Sequence, residues 1–216
     1  VRNFQLICAG LDPIPLLLAI KRRGEPGLWR EDTYLRDYPQ GPFGDTETIM
    51  LRFPAKRVAE TEAELAAYGL SDSQHESIEY PNWHLLPEAH PIVFGLMASV
   101  KATRLGRVMI NRVRPGGRIA RHADTPAHTE YYTRFHFVLQ SSPGALLHCG
   151  SGEAAEVSNY LPGTVFWFNN KLEHEVVNNG SVDRIHMVMD CKLVQAQTQV
   201  IVPAAAGEAH ELALAP

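Results

Sequence analysis

The run Arg107-Val-Met-Ile-Asn-Arg-Val-Arg-Pro-Gly-Gly-Arg-Ile-Ala-Arg-His-Ala-Asp124 decides how the chain is read. Two short β-like runs, Arg107–Arg114 and Gly117–His122, meet at the turn residues Pro115-Gly116-Gly117. Toward the C-terminus six more such runs follow: Tyr132–Gln140, Ala145–Cys149, Ala154–Asn159, Thr164–Phe168, His174–Asn178 and Arg184–Leu193. Pro143-Gly144, Gly150–Gly152, Pro162-Gly163 and Asn178–Gly180 separate them. Short strands at this spacing predict a mainly β protein, a double-sheet jelly roll or a barrel.

Toward the N-terminus the character changes near residue 104. Residues 1–103 read as a mixed α/β region packing on the 104–194 core. Apolar periodicity predicts helices at Pro13–Arg23, Val58–Tyr68 and Pro87–Lys101, and a strand at Thr46–Phe53. Glu25–Gly44, rich in Gly, Pro, Asp and Arg, is long enough for a functional loop over a site. The stretch 203–216 reads as a frayed extension, so the whole of 1–216 is expected to form one domain with flanking helices.

Composition narrows the function classes. The chain has 216 residues, 45% hydrophobic and 20% charged, with a net charge of −4. That suits a folded core and argues against a disordered chain or a globally basic nucleic-acid binder. No apolar run reaches about 18 residues, so no membrane span is expected. Cys8, Cys149 and Cys191 form no CxxC pair, which predicts free thiols and a cytoplasmic setting.

His122-Ala-Asp124 carries the chemistry. In an extended segment residues i and i+2 point the same way, so an imidazole and a carboxylate face one point. By itself the motif fits equally well a turn capped by Asp124 or a surface ion pair. His174, opening the seventh predicted strand, can lie beside the second strand of an antiparallel sandwich and complete the set. Two histidines and one carboxylate leave iron positions open for a co-substrate and O2, whereas structural zinc asks for a fourth ligand. Arg184 begins the eighth strand, where a guanidinium can clamp a dicarboxylate; the alternative is a surface pair with Asp183 or Glu175.

Over Arg107–Leu193 the chain resembles the aspartyl/asparaginyl β-hydroxylase family of Fe(II)- and 2-oxoglutarate-dependent oxygenases. The resemblance rests on Asn111-Arg-Val-Arg-Pro-Gly-Gly with His122-Ala-Asp124, Thr133-Arg-Phe-His136, Leu161-Pro-Gly-Thr-Val-Phe-Trp-Phe, Glu173-His-Glu-Val-Val-Asn178 and Asp183-Arg-Ile-His-Met-Val-Met-Asp190. It implies a cupin-like double-stranded β-helix with the metal between its sheets. It also implies His122, Asp124 and His174 as Fe(II) ligands and Arg184 on the distal carboxylate of 2-oxoglutarate. Arg134 and His136 would contact the carboxylate nearer the metal. Asn111 stands where the family often has a hydroxyl residue near the co-substrate. Phe135 and Phe137 share one strand face while Arg134, His136 and Val138 share the other, which supports a site rather than a core role for His136.

The chemistry implied is hydroxylation of an unactivated C–H bond, coupled to conversion of 2-oxoglutarate and O2 into succinate and CO2. The expected substrate is an amino acid, either Asp or Asn in a polypeptide or a free amino acid such as proline, with neither nucleic acid nor membrane as partner. From Lys101 to His122 stand seven basic residues (Lys101, Arg104, Arg107, Arg112, Arg114, Arg118, Arg121) and no acidic one. They form either a solvated strand face or a rim for a carboxylate, and the face shared by Arg107, Met109 and Asn111 excludes Arg112 and Arg114. Trp29, Tyr34, Tyr38, Tyr80 and Trp83, in the loops Trp29–Phe43 and His75–His84, are candidates for an aromatic lid or for plain packing. A cupin-type metalloenzyme without 2-oxoglutarate and a metal-free jelly-roll binding module are the competing readings.

Overall fold

The computed structural model of the chain describes residues 3–23, 27–39, 41–54, 61–67 and 76–194. The expected extension at 203–216, and residues 58–60 and 68 of one expected helix, lie outside them. Among the described residues there are eleven strands: β1 (Phe4–Cys8), β2 (Thr46–Pro54), β3 (Ser77–Glu79), β4 (Ala102–Val113), β5 (Arg118–His122), β6 (Thr133–Gln140), β7 (Ala145–Cys149), β8 (Glu156–Ser158), β9 (Val165–Phe168), β10 (His174–Asn178) and β11 (Arg184–Leu193). They form a seven-stranded sheet in the order β1-β9-β6-β11-β4-β2-β3 and a four-stranded sheet in the order β5-β10-β7-β8. Every pairing is antiparallel. Two sheets face to face make the jelly roll that the succession of short runs predicts.

Period-two alternation sorts the large sheet into two faces. On β11, Ile185, Met187, Met189 and Cys191 pack into one cluster with Phe135, Phe137 and Leu139 of β6 and Val108 and Ile110 of β4. Helices α1 (Ile14–Arg22) and α6 (His90–Ser99) cover this face with Leu16, Ile20, Val93 and Leu96. Phe137 has no exposed surface, and truncating such a ring to alanine costs about 3–5 kcal/mol. The opposite face meets the small sheet through a second cluster that includes Val113, Ile119, Val138, Leu147, Phe166 and Val176.

The change of character at residue 104 does not mark an edge of the sheet. β2 pairs with β4 along Thr46–Arg52, and β1 pairs with β9, so the N-terminal half supplies strands as well as helices. The expected helix at Pro87–Lys101 opens instead with a 3-10 turn at Pro87–Ala89 before α6. Short helices α2 (Gly27–Arg30), α3 (Tyr34–Asp37), α4 (Glu62–Ala67), α5 (Pro81–Leu85) and α7 (Pro126–Tyr131), with a 3-10 turn at Gly152–Ala154, complete the described elements. Gly116, at φ +84°, turns β4 into β5, while its N–H donates to the Asn178 carbonyl. An L side chain there would be strained, and the turn fixes where His122 emerges. Among the described residues no helix is long and apolar enough to cross a membrane.

Candidate metal centre

His122 closes β5 and His174 opens β10, and the two residues are register partners in the small sheet. Asp124 follows β5 by two residues, its backbone N–H donating to the Asn170 carbonyl. Candidate ligand atoms from His122, Asp124 and His174 all lie within 4.8 Å of one another. The alternative in which Asp124 caps its own turn is not what the structure shows. His122 Nδ1 lies 2.8 Å from the Ala120 carbonyl, and His174 Nδ1 lies 2.9 Å from the Leu172 carbonyl. Each carbonyl accepts from Nδ1–H, so each imidazole keeps its proton there and presents Nε2 as a lone pair. Phe43 and Phe168 hold the two rings edge-on at 5.4 and 4.9 Å between centroids.

Asp124 is set in the same way. Its Oδ2 accepts from Arg134 Nη1 at 2.6 Å and from Asn170 Nδ2 at 2.7 Å, while Oδ1 stands 3.6 Å from His122 Nε2. One carboxylate oxygen is therefore occupied and the other faces the imidazoles. Burial alone would raise its pKa, but the Arg134 charge and the hydrogen bond from Asn170 hold it well below the usual carboxylate range. Burial also brings the His174 pKa down to about 4, so its imidazole is neutral at physiological pH. A neutral His174 imidazole and an ionised Asp124 carboxylate are in the protonation states a divalent cation needs.

Deeper between the sheets lies Arg184, only 2% exposed. Among the described residues it has no ion pair: Asp183 reaches Arg112 at 3.6 Å and Glu175 reaches Arg121 at 3.3 Å, so the surface alternatives for Arg184 are both taken elsewhere. Its Nη2 is buried without a hydrogen-bond partner, and burial brings its pKa down to about 9. Among the described residues both ring nitrogens of His136 are likewise buried without a hydrogen-bond partner. Burial first, then the charges of Arg184 and Arg134, push the His136 pKa well below its ordinary value. One narrow cavity is lined by His122, Asp124 and His174 at the metal end and by Asn111, His136 and Arg184 further in. Unmet buried donors of this kind fit an anionic ligand reaching from the triad to Arg184.

Arg134 lines the same cavity and is held by two aspartates. Its Nε donates to Asp190 Oδ1 at 2.7 Å and its Nη2 to Asp190 Oδ2 at 2.9 Å, and Nη1 is engaged by Asp124. Asn111 is buried and accepts the Thr48 hydroxyl at 3.0 Å, so a hydroxyl does stand here, brought by the neighbouring strand. Asp190 and Asn170 were not among the residues the sequence singles out. Asp190 shares a strand face with Arg184 at a spacing of six, which is a legible signal; Asn170 lies in a turn and carries none.

Above the triad opens a pocket of about 720 Å³ whose walls include Tyr34, Tyr38, Phe53, Arg107 and Met109. Of the lid candidates, Tyr34 and Tyr38 face it. Trp29 is fully buried with the Arg112 guanidinium 4.3 Å over its ring, and Trp83 stacks on His90 at 4.2 Å, so both serve packing. The basic cluster divides as strand alternation requires: Arg112 and Arg114 bind Glu47 on the other face, and Arg121 binds Glu173 and Glu175.

A jelly roll with two histidines and a carboxylate converging beside a buried, unpaired arginine defines an Fe(II)- and 2-oxoglutarate-dependent oxygenase. Residues 60–193 match the aspartyl/asparaginyl β-hydroxylase family, to which the chain therefore belongs. Among solved structures, a Trichoplax adhaerens prolyl hydroxylase in complex with a hypoxia-inducible-factor peptide fragment superposes with a TM-score of 0.51 at 12% identity, covering 89% of this chain and 84% of that one. An oxidoreductase of the 2OG-Fe(II) oxygenase family from Burkholderia pseudomallei gives 0.50 at 18% identity, covering 76% and 77%. At such identities the likeness establishes the fold. No curated protein matches the sequence.

Proposed function

We propose that this protein holds Fe(II) through His122, Asp124 and His174 and hydroxylates an amino-acid substrate, either Asp or Asn in a polypeptide or a free amino acid such as proline. The observation that carries the reading is the convergence of three ligand atoms within 4.8 Å, with both imidazole Nδ1 atoms tied to backbone carbonyls. Iron with 2-oxoglutarate, when bound, supplies O2 activation and attack on a C–H bond. The protein's own part is orientation and charge. Arg184 receives the distal carboxylate of 2-oxoglutarate, and His136, neutral and without another partner, donates to the carboxylate nearer the metal. Asn111 borders the co-substrate cavity. Arg134 neutralises Asp124 and holds it in place, a positioning role that its two carboxylate partners favour over direct contact with the co-substrate.

The test is iron content and succinate release. Protein loaded anaerobically with Fe(II) should bind one equivalent and, on admission of O2, convert 2-oxoglutarate to succinate; His174→Ala should lose the bound iron. Full iron occupancy in both His174→Ala and Asp124→Ala would overturn the ligand assignment. A search for products one oxygen heavier, across free amino acids and Asp or Asn peptides, identifies the substrate.

A further inference from the structure

Arg107 is the one guanidinium of the outer pocket that the metal centre does not use. It shares the inner face of β4 with Met109 and Asn111 and lies along the pocket that ends at His122 and Asp124. Among the described residues no carboxylate lies within ion-pair distance of it. Its charge rests against the Phe53 ring at 5.1 Å, and its Nε is buried without a hydrogen-bond partner. Burial lowers its pKa, and the Arg134 charge adds to that, while Asp190 and Asp124 act on it only from a distance. The contrast with Arg134 is direct: that guanidinium donates to two aspartates, whereas no carboxylate among the described residues pairs with Arg107.

A half-buried cation on a pocket wall without a protein anion lacks its natural partner. The rest of the wall says what accompanies that partner. Leu35, Pro42, Phe43, Phe53 and Met109 supply apolar surface, and among the described residues the only carboxylate in the lining is Asp124. Apart from Tyr34, Tyr38, His122, Thr125, His128 and the charged groups already named, the described wall is apolar, which suits an apolar body.

Resting on the hydroxylase reading above, we propose that Arg107 anchors a carboxylate of the substrate, so that the preferred substrate is a small free acid with an apolar body, a free amino acid rather than an internal residue of a polypeptide. Hydroxylation then falls on a carbon of that body which the Arg107 contact directs toward the triad.

The experiment compares free apolar amino acids, L-proline and L-leucine among them, with the corresponding carboxamides and with an Asp-containing peptide. Binding is measured by calorimetry on the anaerobic Fe(II)–2-oxoglutarate protein, and turnover by succinate release. Wild type should prefer at least one acid over its amide by more than about tenfold. Arg107→Gln, checked for folding by its melting curve, should abolish that preference, and Arg107→Lys should restore part of it. A purely structural role would leave the acid-to-amide ratio unchanged in Arg107→Gln, and that result overturns the proposal. So does equal binding of acids and amides by wild type, or a response to the Asp peptide alone. Failure of the wild-type protein to release any succinate from 2-oxoglutarate would instead overturn the hydroxylase reading beneath it.

Discussion

Arg134 and Asp190 form a two-pronged ion pair in the interior, Nε to Oδ1 at 2.7 Å and Nη2 to Oδ2 at 2.9 Å, with the Asp190 side chain wholly out of solvent. His128 adds a third contact to Asp190 Oδ2 at 2.7 Å. Asp190 thus orients Arg134, and Arg134 in turn orients the metal-facing carboxylate of Asp124.

Asp190→Asn removes one of the two carboxylates that hold Arg134 and leaves Asp124 as its remaining ion-pair partner. It should lower stability by about 1.5–3 kcal/mol, read as a drop in the melting temperature. It should also weaken Fe(II) binding by roughly 10- to 100-fold, since a supporting contact of a ligand is lost. An unchanged iron affinity in a folded Asp190→Asn protein would show that Asp124 holds its position without this chain.

Asn170 supports the same oxygen from the other side, at 2.7 Å from Asp124 Oδ2. Asn170→Ala leaves the Arg134–Asp190 pair intact, so its stability cost should be smaller, about 1 kcal/mol. Its effect on Fe(II) affinity should still be about tenfold. Titrating Fe(II) into both variants separates the two supports.

How far the sequence leads can be judged residue by residue. The strands that carry the site, β4 to β7 and β9 to β11, begin and end within a few residues of the runs marked by their turn residues, because period-two burial leaves a direct imprint on the sequence. The faces follow too: Arg134 and His136 do lie opposite Phe135 and Phe137. Elements without that imprint escape. In β1 only Phe4 is buried and the strand is recruited by pairing to β9, and α7 is a six-residue polar helix beginning at Pro126, where a turn is the natural reading. Arg134 shows the deeper limit. Its strand face is legible, but whether it meets a ligand or a protein carboxylate depends on β11 bringing Asp190 opposite it, and register between strands far apart in sequence is not a local property.

Burial sets the thiols apart from one another. It raises the Cys149 pKa to about 11 and that of Cys191 to about 12, so neither has an appreciable thiolate population near neutral pH. Cys8 is partly exposed and unpaired. Native protein treated with iodoacetamide at pH 7.5 should be alkylated at Cys8 well before the other two, and all three should react after unfolding in guanidinium. Early labelling of Cys191 in the native state would contradict the packing of β11.

Glu47 offers a pH-dependent test away from the metal. It accepts from Arg112 Nε at 2.7 Å and Arg114 Nε at 3.0 Å. Burial works to raise its pKa, but the two arginines outweigh that and leave it lowered. A depressed carboxylate contributes stability above its unfolded pKa of about 4.3 and loses it as pH falls through the folded value. Glu47→Gln should therefore be less stable than wild type by about 1 kcal/mol at pH 7, with the gap closing below about pH 4. A gap that stays constant with pH would mean that the ion pairs contribute nothing.

Arg184 makes the sharpest prediction because stability and function pull in opposite directions there. A guanidinium buried between two sheets without an anion costs folding energy, and nothing among the described residues compensates it. Arg184→Met keeps the length and removes the charge, so the metal-free protein should melt higher, by the equivalent of about 1 kcal/mol or more. The same change removes the partner of the distal carboxylate. Saturating 2-oxoglutarate with Fe(II), under anaerobic conditions, should raise the melting temperature of wild type beyond the effect of Fe(II) alone, and should not do so for Arg184→Met. Fe(II) by itself should bind both proteins alike, since His122, Asp124 and His174 are untouched. Succinate formation should fall to background in Arg184→Met and in Arg184→Ala. A variant that melts lower without ligand, yet is still stabilised by 2-oxoglutarate, would reassign Arg184 from co-substrate anchor to structural residue and leave the iron site as it stands.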